Sequence, residues 1–468
     1  MNAHRRFKGA AIILAGAMFL TMCTPEPDYG ALFREDVKNL SSEEFCGRSV
    51  YGNGDIKAAR YIIDRLCGID GIVPLGTHGI DQEAVAVFPP YKSALSPAGE
   101  GRWAETEGAD KYLPFLQHFQ FPMNVMRGDM TVSVDGRELR PTYDFTAKEF
   151  SPSCHGEFKL AYMPDSLVTE ELFVKWLDEG GFEESFVVVS WPAYKELPAH
   201  PFERYLPYLG KLQHVAGIIL KDKELFPYFK ARSYYTTNMP VLMVTEEFPE
   251  GASTIKVDID AEMLATRDAH NVIAWLPGTG EGDGYCTFIA HYDHLGLMGR
   301  DNLYPGANDN ASGAAMLLDL ARWFSSHRPQ TSIQFIFLDA EETNLLGAYY
   351  YCGNPRLDLA KCKYLINVDM VADDSDHLAT EITPSGEAGL ERFREINASG
   401  DFPPFDLALQ ENTDNSDHYA FGEYGVPAIY FSTEGSILQH YHSPRDSYGN
   451  TRYENFDRLF NLLTKFVE

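Results

Sequence analysis

Two histidines and an aspartate crowd into four positions of HYDHLG, residues 291–296, directly after the apolar run CTFIA. Imidazoles and carboxylates are the side chains that move protons near neutral pH and that ligate divalent cations. The same residue types return at four further places. Asp309 stands in GANDNASG (306–313), Glu341 and Glu342 in DAEE (339–342), Asp369 in NVDMV (367–371) and His442 in HYHSPRDS (440–447). Taken singly, each has an ordinary structural reading. His291 is a satisfied half-buried histidine, Asp309 or Asn310 caps a helix, Glu341 and Glu342 favour a helix N-terminus, Asp369 accepts a hydrogen bond and His442 sits in a loop. Taken together, five separate strand ends would each need such a group for an unrelated reason. Burying that many carboxylates side by side is costly without cations. Two divalent metals remove the cost, and a mixed imidazole and carboxylate set suits zinc.

The elements that must position these residues alternate between strand and helix. NVIAWLPG and GYCTFIA read as strands joined by a glycine-rich turn, and ASGAAMLLDLARWF (311–324) as a helix. TSIQFIFLDA (331–340), KYLINVDMV (363–371) and VPAIYFS (426–432) are nearly continuous apolar runs, the pattern of strands buried on both faces. In the tail, Phe456, Leu459, Phe460, Leu463 and Phe466 fall on one helical face. Such alternation predicts an α/β fold with a mostly parallel central sheet and helices on both faces. Sites in such sheets form beyond the carboxyl ends of the strands, where the titratable motifs stand. Residues 55–66 also have helical spacing, with Gly68 as a C-terminal cap, and 77–112 read as a long loop. From 124 to 264 the texture changes to short β-like runs, FKLAYMP, FVVVSWP, AGIILKD and PVLMVTEEF, which predicts a β-rich inserted domain.

In this order, HYDHLG, GANDNASG, AEETNLLG, NVDMV, SDHYAF and YHSPRDS resemble the motifs of the co-catalytic di-zinc exopeptidases of metallopeptidase family twenty-eight, which include bacterial aminopeptidases and glutamate carboxypeptidases. The resemblance covers 265–468 and extends more loosely to LSSEEFCGRSVYGNGDIKAARYI near the N-terminus. It implies a zinc exopeptidase fold over 30–123 and 265–468, with 124–264 similar in texture and position to a protease-associated domain. It implies two zinc ions. His291 and Asp369 would bind one, Glu342 and His442 the other, and Asp309 both. Asp293 would orient His291, and Glu341 would be the general base of peptide hydrolysis through a metal-bridging water. His294 is left to a structural role. SDHYAF and its neighbours would wall the substrate pocket, with Tyr419, Tyr424 and Tyr441 as candidates for an oxyanion contact. An aminopeptidase is the leading reading. A glutamate carboxypeptidase-type enzyme, a single-zinc glutaminyl cyclase and a non-catalytic binding protein on the same scaffold stand as alternatives, while the absence of a G-x-S-x-G elbow argues against a serine hydrolase.

Charge limits the partners. With 39 lysines and arginines against 68 aspartates and glutamates, the net charge of −29 argues against nucleic acid and against an anionic membrane surface. Residues 1–23 have a basic start (His4, Arg5, Arg6, Lys8), an apolar stretch from Ala10 to Leu20 and the sequence LTMC. They predict an export signal ending in a lipobox, with a lipid on Cys23 as the membrane attachment of a periplasmic or cell-surface protein. Of the remaining six cysteines, Cys352 and Cys362 bracket one loop and form the first pair to test for a disulfide.

Overall fold

A computed structural model describes residues 26–49, 51–76, 96–97, 101–103, 107–164, 175–176, 178–190, 215–222, 233, 235–245, 247–399 and 401–467. The export segment with Cys23, and most of the loop expected over 77–112, lie outside the described residues. Among the described residues no helix is long and apolar enough to cross a membrane.

The N-terminal helices are α1 (Tyr29–Leu40) and α2 (Gly54–Cys67). Helix α2 buries Ile56, Ala59, Ile62, Ile63 and Leu66, and the N–H groups of Gly68 and Ile69 close it on the carbonyls of Arg65 and Leu66. The strands used below are β1 (Leu116–Val134), β2 (Phe145–Ala147), β3 (Cys154–Tyr162), β4 (Ser185–Ser190), β5 (Gly217–Asp222), β6 (Val241–Thr245), β7 (Thr254–Leu276), β8 (Tyr285–His291), β9 (Ser332–Leu338), β10 (Cys362–Val368), β11 (His377–Ile382), β12 (Asp406–Leu409) and β13 (Ala428–Thr433). Between them lie α3 (Gly313–Ser326), α4 (Leu346–Gly353), α5 (Glu387–Ser399) and α6 (His418–Glu423), and α7 (Phe456–Val467) ends the chain. The strand order is β12-β11-β13-β10-β8-β9-β7-β3-β4-β5-β6-β2. Around the site, β13, β10, β8 and β9 are mutually parallel, and β11 and β7 flank them antiparallel.

Period-two alternation sends neighbouring side chains to opposite sides of this sheet. Phe288, Ala290, Phe335, Phe337, Ile366 and Val368 join α1, α2, α3, α5 and α7 in one core. Ile289, Ile336, Leu338 and Leu365 join α4 and α6 in the other. The apolar runs are continuous because both faces are covered. All five tail residues expected on one helical face are buried.

The inserted segment grows out of the same sheet. Positions 123/124 and 264/265 fall inside β1 and β7, which pair antiparallel from Leu116–Val272 to Val134–Ile255. The four expected β-runs are β3 to β6, paired in parallel. Leu295, Met298 and Tyr304, from the loop after HYDH, pack into the core of this segment. The cysteine expectation is corrected: Cys46, Cys67, Cys154, Cys286, Cys352 and Cys362 are all free thiols. Cys352 and Cys362 are both buried, and burial pushes the Cys362 thiol up to about 12, so each packs as a small apolar group.

Helix α2 is tied to β7 by charge. Asp55, fully buried, accepts from Arg267 Nη2 at 2.6 Å and from Arg102 Nη2 at 2.5 Å. Burial opposes the carboxylate, but the two guanidiniums outweigh it and hold its pKa below the ordinary value. Asp55→Ala removes the buried carboxylate that Arg267 and Arg102 share and should cost about 3–5 kcal/mol in urea unfolding. Because the folded pKa is the lower one, this stabilisation is fully present above the ordinary carboxylate range and is lost as pH falls from there through the folded value. The variant should therefore show a shallower acid limb of stability than the native chain.

Candidate active site

Four loops at the carboxyl ends of parallel strands, and the loop that opens α3, build the site. His291 is the last residue of β8, and its Nδ1 lies 3.1 Å from the Asp293 carbonyl. A carbonyl can only accept, so Nδ1 carries the proton and Nε2 is the atom offered to the site. Nε2 lies 3.3 Å from Asp309 Oδ1, 3.4 Å from Asp369 Oδ1 and 4.0 Å from Glu341 Oε2. On the other side, His442 Nε2 lies 3.2 Å from Asp309 Oδ2 and 3.2 Å from Glu342 Oε2. All seven residues singled out from the sequence thus meet in one place. The Asp293 carboxylate stands 3.7 Å from His291 Nδ1 and helps to raise that imidazole, and its Oδ1 also accepts the Glu341 N–H at 3.1 Å. It positions the main chain of Glu341, while its own carbonyl meets the imidazole.

The supporting contacts explain why short motifs can hold this arrangement. The helix expected from residue 311 begins at Gly313, because 307–312 form an irregular turn that includes a cis peptide at Asp309–Asn310. Polar side chains fix that turn. Asp446 accepts the N–H groups of Asn308 and Asp309 at 2.8 and 2.9 Å, and Asn310 donates to the Val368 carbonyl and accepts from Gly313. Gly306 has a φ of +59°, and a Cβ there would meet the Asp309 carbonyl oxygen at 2.3 Å and Arg48 Nη2 at 2.5 Å, so only glycine fits. Ser416 of SDHYAF donates to Asp369 Oδ2 at 2.7 Å, leaving Oδ1 toward His291.

Three contributors were not singled out from the sequence as site residues. His294 Nδ1 lies 2.8 Å from Glu342 Oε1 and 3.7 Å from Asp309 Oδ2; its spacing three residues after His291 was the available signal. Asp446 was visible only as part of HYHSPRDS. Arg48 carried no signal, because what it serves is a set of backbone carbonyls far along the chain. The cavity in front of the cluster, about 220 Å³, is lined by His291, Asp309, Glu341 and Asp369 on one side and by Tyr430, Tyr441, Glu434 and Leu438 on another. Of the three tyrosines proposed for an oxyanion contact, Tyr441 stands in this wall, stacked on His442 at 3.8 Å, whereas Tyr419 and Tyr424 pack against the apolar core.

The electrostatics are those of a cation site. Asp309 Oδ2 and Asp369 Oδ1 are buried and have no hydrogen-bond partner among the described residues. Burial opposes charge on His291 and His442. The carboxylates outweigh it, Asp369 and Glu341 at the first and Glu342 and Asp309 at the second, raising His291 well above its ordinary value and His442 to about 10. Burial also raises Glu341, assisted by Glu342, Asp417 and Asp369 against the opposing His291. Two groups of possible ligands lie together, His291, Glu341 and Asp369, and His294, Asp309 and Glu342.

Residues 271–467 match the profile of Peptidase family M28. They are a domain of that family. The chain is 27% identical over 263 residues to aminopeptidase YwaD of Bacillus subtilis, which covers 54% of this chain and 56% of the relative. It is 30% identical over 188 residues to a probable leucine aminopeptidase 2 of Aspergillus fumigatus, covering 38% of this chain and 36% of the relative. The chain spans about half the length, or less, of the curated relatives it matches. The fold is shared with BSAP, a zinc aminopeptidase from Bacillus subtilis (TM-score 0.64, 18% identity, 95% of this chain and 96% of that one). It is shared also with an aminopeptidase from Aneurinibacillus sp. strain AM-1 (TM-score 0.61, 18% identity, 94% and 93%).

At neutral pH the cation-free M28 site keeps protons on His291 and His442, since both folded values lie above the ordinary imidazole range. A divalent cation must displace them, so titration with zinc should release about two protons per chain. Calorimetry in buffers of different ionisation enthalpy measures this, and His442→Ala should roughly halve the release. A heat that does not change with buffer would mean that the imidazoles are already neutral.

Proposed function

We propose that the chain is a zinc-dependent exopeptidase of the aminopeptidase type, which removes N-terminal residues from peptides. The observation that carries the reading is how Asp309 divides its oxygens, Oδ1 3.3 Å from His291 Nε2 and Oδ2 3.2 Å from His442 Nε2. Ligand atoms on one tetrahedral zinc, each about 2.0–2.1 Å from the metal, stand roughly 3.3 Å apart. His291, Asp369 and Asp309 would hold one zinc, and His442, Glu342 and Asp309 a second. His294 lies beside the second set. When bound, the metals supply Lewis acidity that polarises a peptide carbonyl and lets a water lose its proton near neutral pH. Supporting the substrate assignment, the relatives and shared folds described above carry the name aminopeptidase.

The chain's own residues supply the rest. Glu341 follows directly on strand-end residues Asp339 and Ala340, and its main chain is held by Asp293. Its carboxylate lines the cavity, free of the Glu342 side of the cluster. There it accepts the proton of the attacking water and returns it to the leaving amine. Burial raises that carboxyl above its ordinary value, with His291 opposing the rise and Glu342, Asp417 and Asp369 adding to it. The inserted segment, read as a protease-associated domain, packs on the loop that follows HYDH and so borders the site. Cys23 and the segment before it support export with a lipid anchor.

Glu341→Gln should lower turnover of an aminoacyl p-nitroanilide by about 10²–10⁴-fold, while zinc content and melting temperature stay native. Native turnover in that variant removes Glu341 as base. Zinc analysis should give two ions per chain; one ion would favour the glutaminyl cyclase alternative. For the anchor, Cys23→Ser should abolish incorporation of labelled palmitate when the full chain is expressed in a bacterial host, and persistent labelling would rule Cys23 out.

A further inference from the structure

The rest of the cavity lining, beside the metal-facing groups, has its own chemistry. Met370, Tyr430, Leu438 and Tyr441 give it apolar surface, and Glu434 adds a carboxylate. No lysine or arginine lines the cavity among the described residues. Gln410 Nε2 donates to Glu434 Oε2 at 3.2 Å, which orients the carboxylate without neutralising it. From this wall we infer that Glu434 selects substrates whose N-terminal residue is basic, lysine or arginine. The inference rests on the reading of this cavity as the place where the first residue of a peptide sits.

Distance decides which group of the substrate Glu434 meets. The Asp369 N–H donates to the Phe431 carbonyl, so Phe431 is level with the metal-facing carboxylates. Glu434 lies three residues further along, one beyond the end of β13, which is about 10 Å at the rise of an extended chain. The substrate's α-ammonium is two bonds from the scissile carbonyl and must stay beside Asp369 and Glu341. On this reading it is the side chain of the first residue, not its α-ammonium, that extends toward Glu434. A lysine side chain carries its ammonium out on a four-carbon stem, roughly 6 Å from its Cα, and arginine slightly further. Such side chains lay an apolar stem along an apolar wall and present a charge at its end. Here Leu438, Met370 and the two tyrosines meet the stem and Glu434 meets the charge. An acidic first residue would face a carboxylate with no cation to receive it. The net charge of −29 favours the approach of cationic substrates in the same direction.

The test compares lysine with norleucine, which has the same stem without the ammonium. With the zinc-loaded full chain, kcat/KM for the lysyl p-nitroanilide should exceed that for the norleucyl compound by about ten-fold or more. Glu434→Gln should bring the two within about two-fold, by raising KM for lysine with norleucine unchanged. Raising the salt concentration should erode the native preference. A second measurement, calorimetric binding of free L-lysine and L-norleucine to native protein and variant, reads the same selectivity without turnover. If no substrate is cleaved but lysine binds tighter and Glu434→Gln removes the difference, the selectivity stands and the peptidase reading falls. An unchanged lysine to norleucine ratio in the variant overturns the inference. So does an equal loss on both compounds, which would mean that Glu434 serves a group common to all substrates.

Discussion

A single guanidinium, that of Arg48, holds the frame of the site. It is fully buried and donates to the carbonyls of Leu40, Tyr292, Pro305, Gly306 and Asp309 at 2.7–3.1 Å. Tyr292 belongs to HYDH, and Pro305, Gly306 and Asp309 to the turn before α3. One planar fork therefore fixes the loop bearing His291 to the loop bearing Asp309, two segments that share no sheet pairing. Only arginine has enough donors in a fixed plane for this. Burial pulls its pKa down, to about 10, against the attraction of Asp309, Asp446, Asp293 and Glu342, and at neutral pH the cation persists. The segment around it is strained to match: Cys46 and Arg48 both take positive φ, 47° and 52°. Non-glycine residues in that region cost of order 1–3 kcal/mol each.

Support of the same kind recurs around the ring of carboxylates. Ser416 takes Asp369 Oδ2, leaving Oδ1 for the site. Asp293 is spent on the Glu341 N–H, which leaves the Glu341 side chain to the cavity. Asp446 is spent on the main chain of Asn308 and Asp309, which leaves both Asp309 oxygens inward. In each case a protein donor or acceptor uses up the hydrogen-bonding capacity that does not face the centre. Pre-organisation of this sort removes the freedom a ligand would otherwise lose on closing around a cation.

What could be read in the sequence follows from what kind of interaction each feature depends on. The strands β8, β9, β10 and β13 were legible because burial on both faces leaves an unbroken apolar run. His291, Asp309, Glu341, Glu342, Asp369 and His442 were legible because parallel strands deliver their ends to one edge, so strand-end chemistry converges. Arg48 was not legible, since its partners are backbone carbonyls up to 261 residues away. His294 was set aside because the family pattern takes from HYDH only one ligand, His291, and its orienter; here the turn after β8 brings His294 to Glu342. The start of α3 was misplaced by two residues: Asn310 accepts the Gly313 N–H as a cap does, but Asn310 and Asn308 also bond to the 368–372 loop, which holds the preceding residues in an irregular turn. The cysteines show the limit of spacing arguments: Cys352 and Cys362 frame one loop, yet each is absorbed by its own packing.

Charge counting separates the two buried ionic centres of the chain. At the first, between α2 and β7, one carboxylate, Asp55, faces two guanidiniums, Arg102 and Arg267, so positive charge is already in excess of that carboxylate. At the second, seven carboxyl groups, those of Asp293, Asp309, Glu341, Glu342, Asp369, Asp417 and Asp446, face three imidazoles and Arg48. Protonated imidazoles and protonated carboxyls are the only internal means of balance there, which is why burial drives Glu341 and Asp417 upward while His291 and His442 hold their protons. A divalent cation can replace those protons with more charge in less space. The first centre gains nothing from a metal and serves the fold. The second is a poor stabiliser by itself and gains stability by mass action from whatever cation fills it.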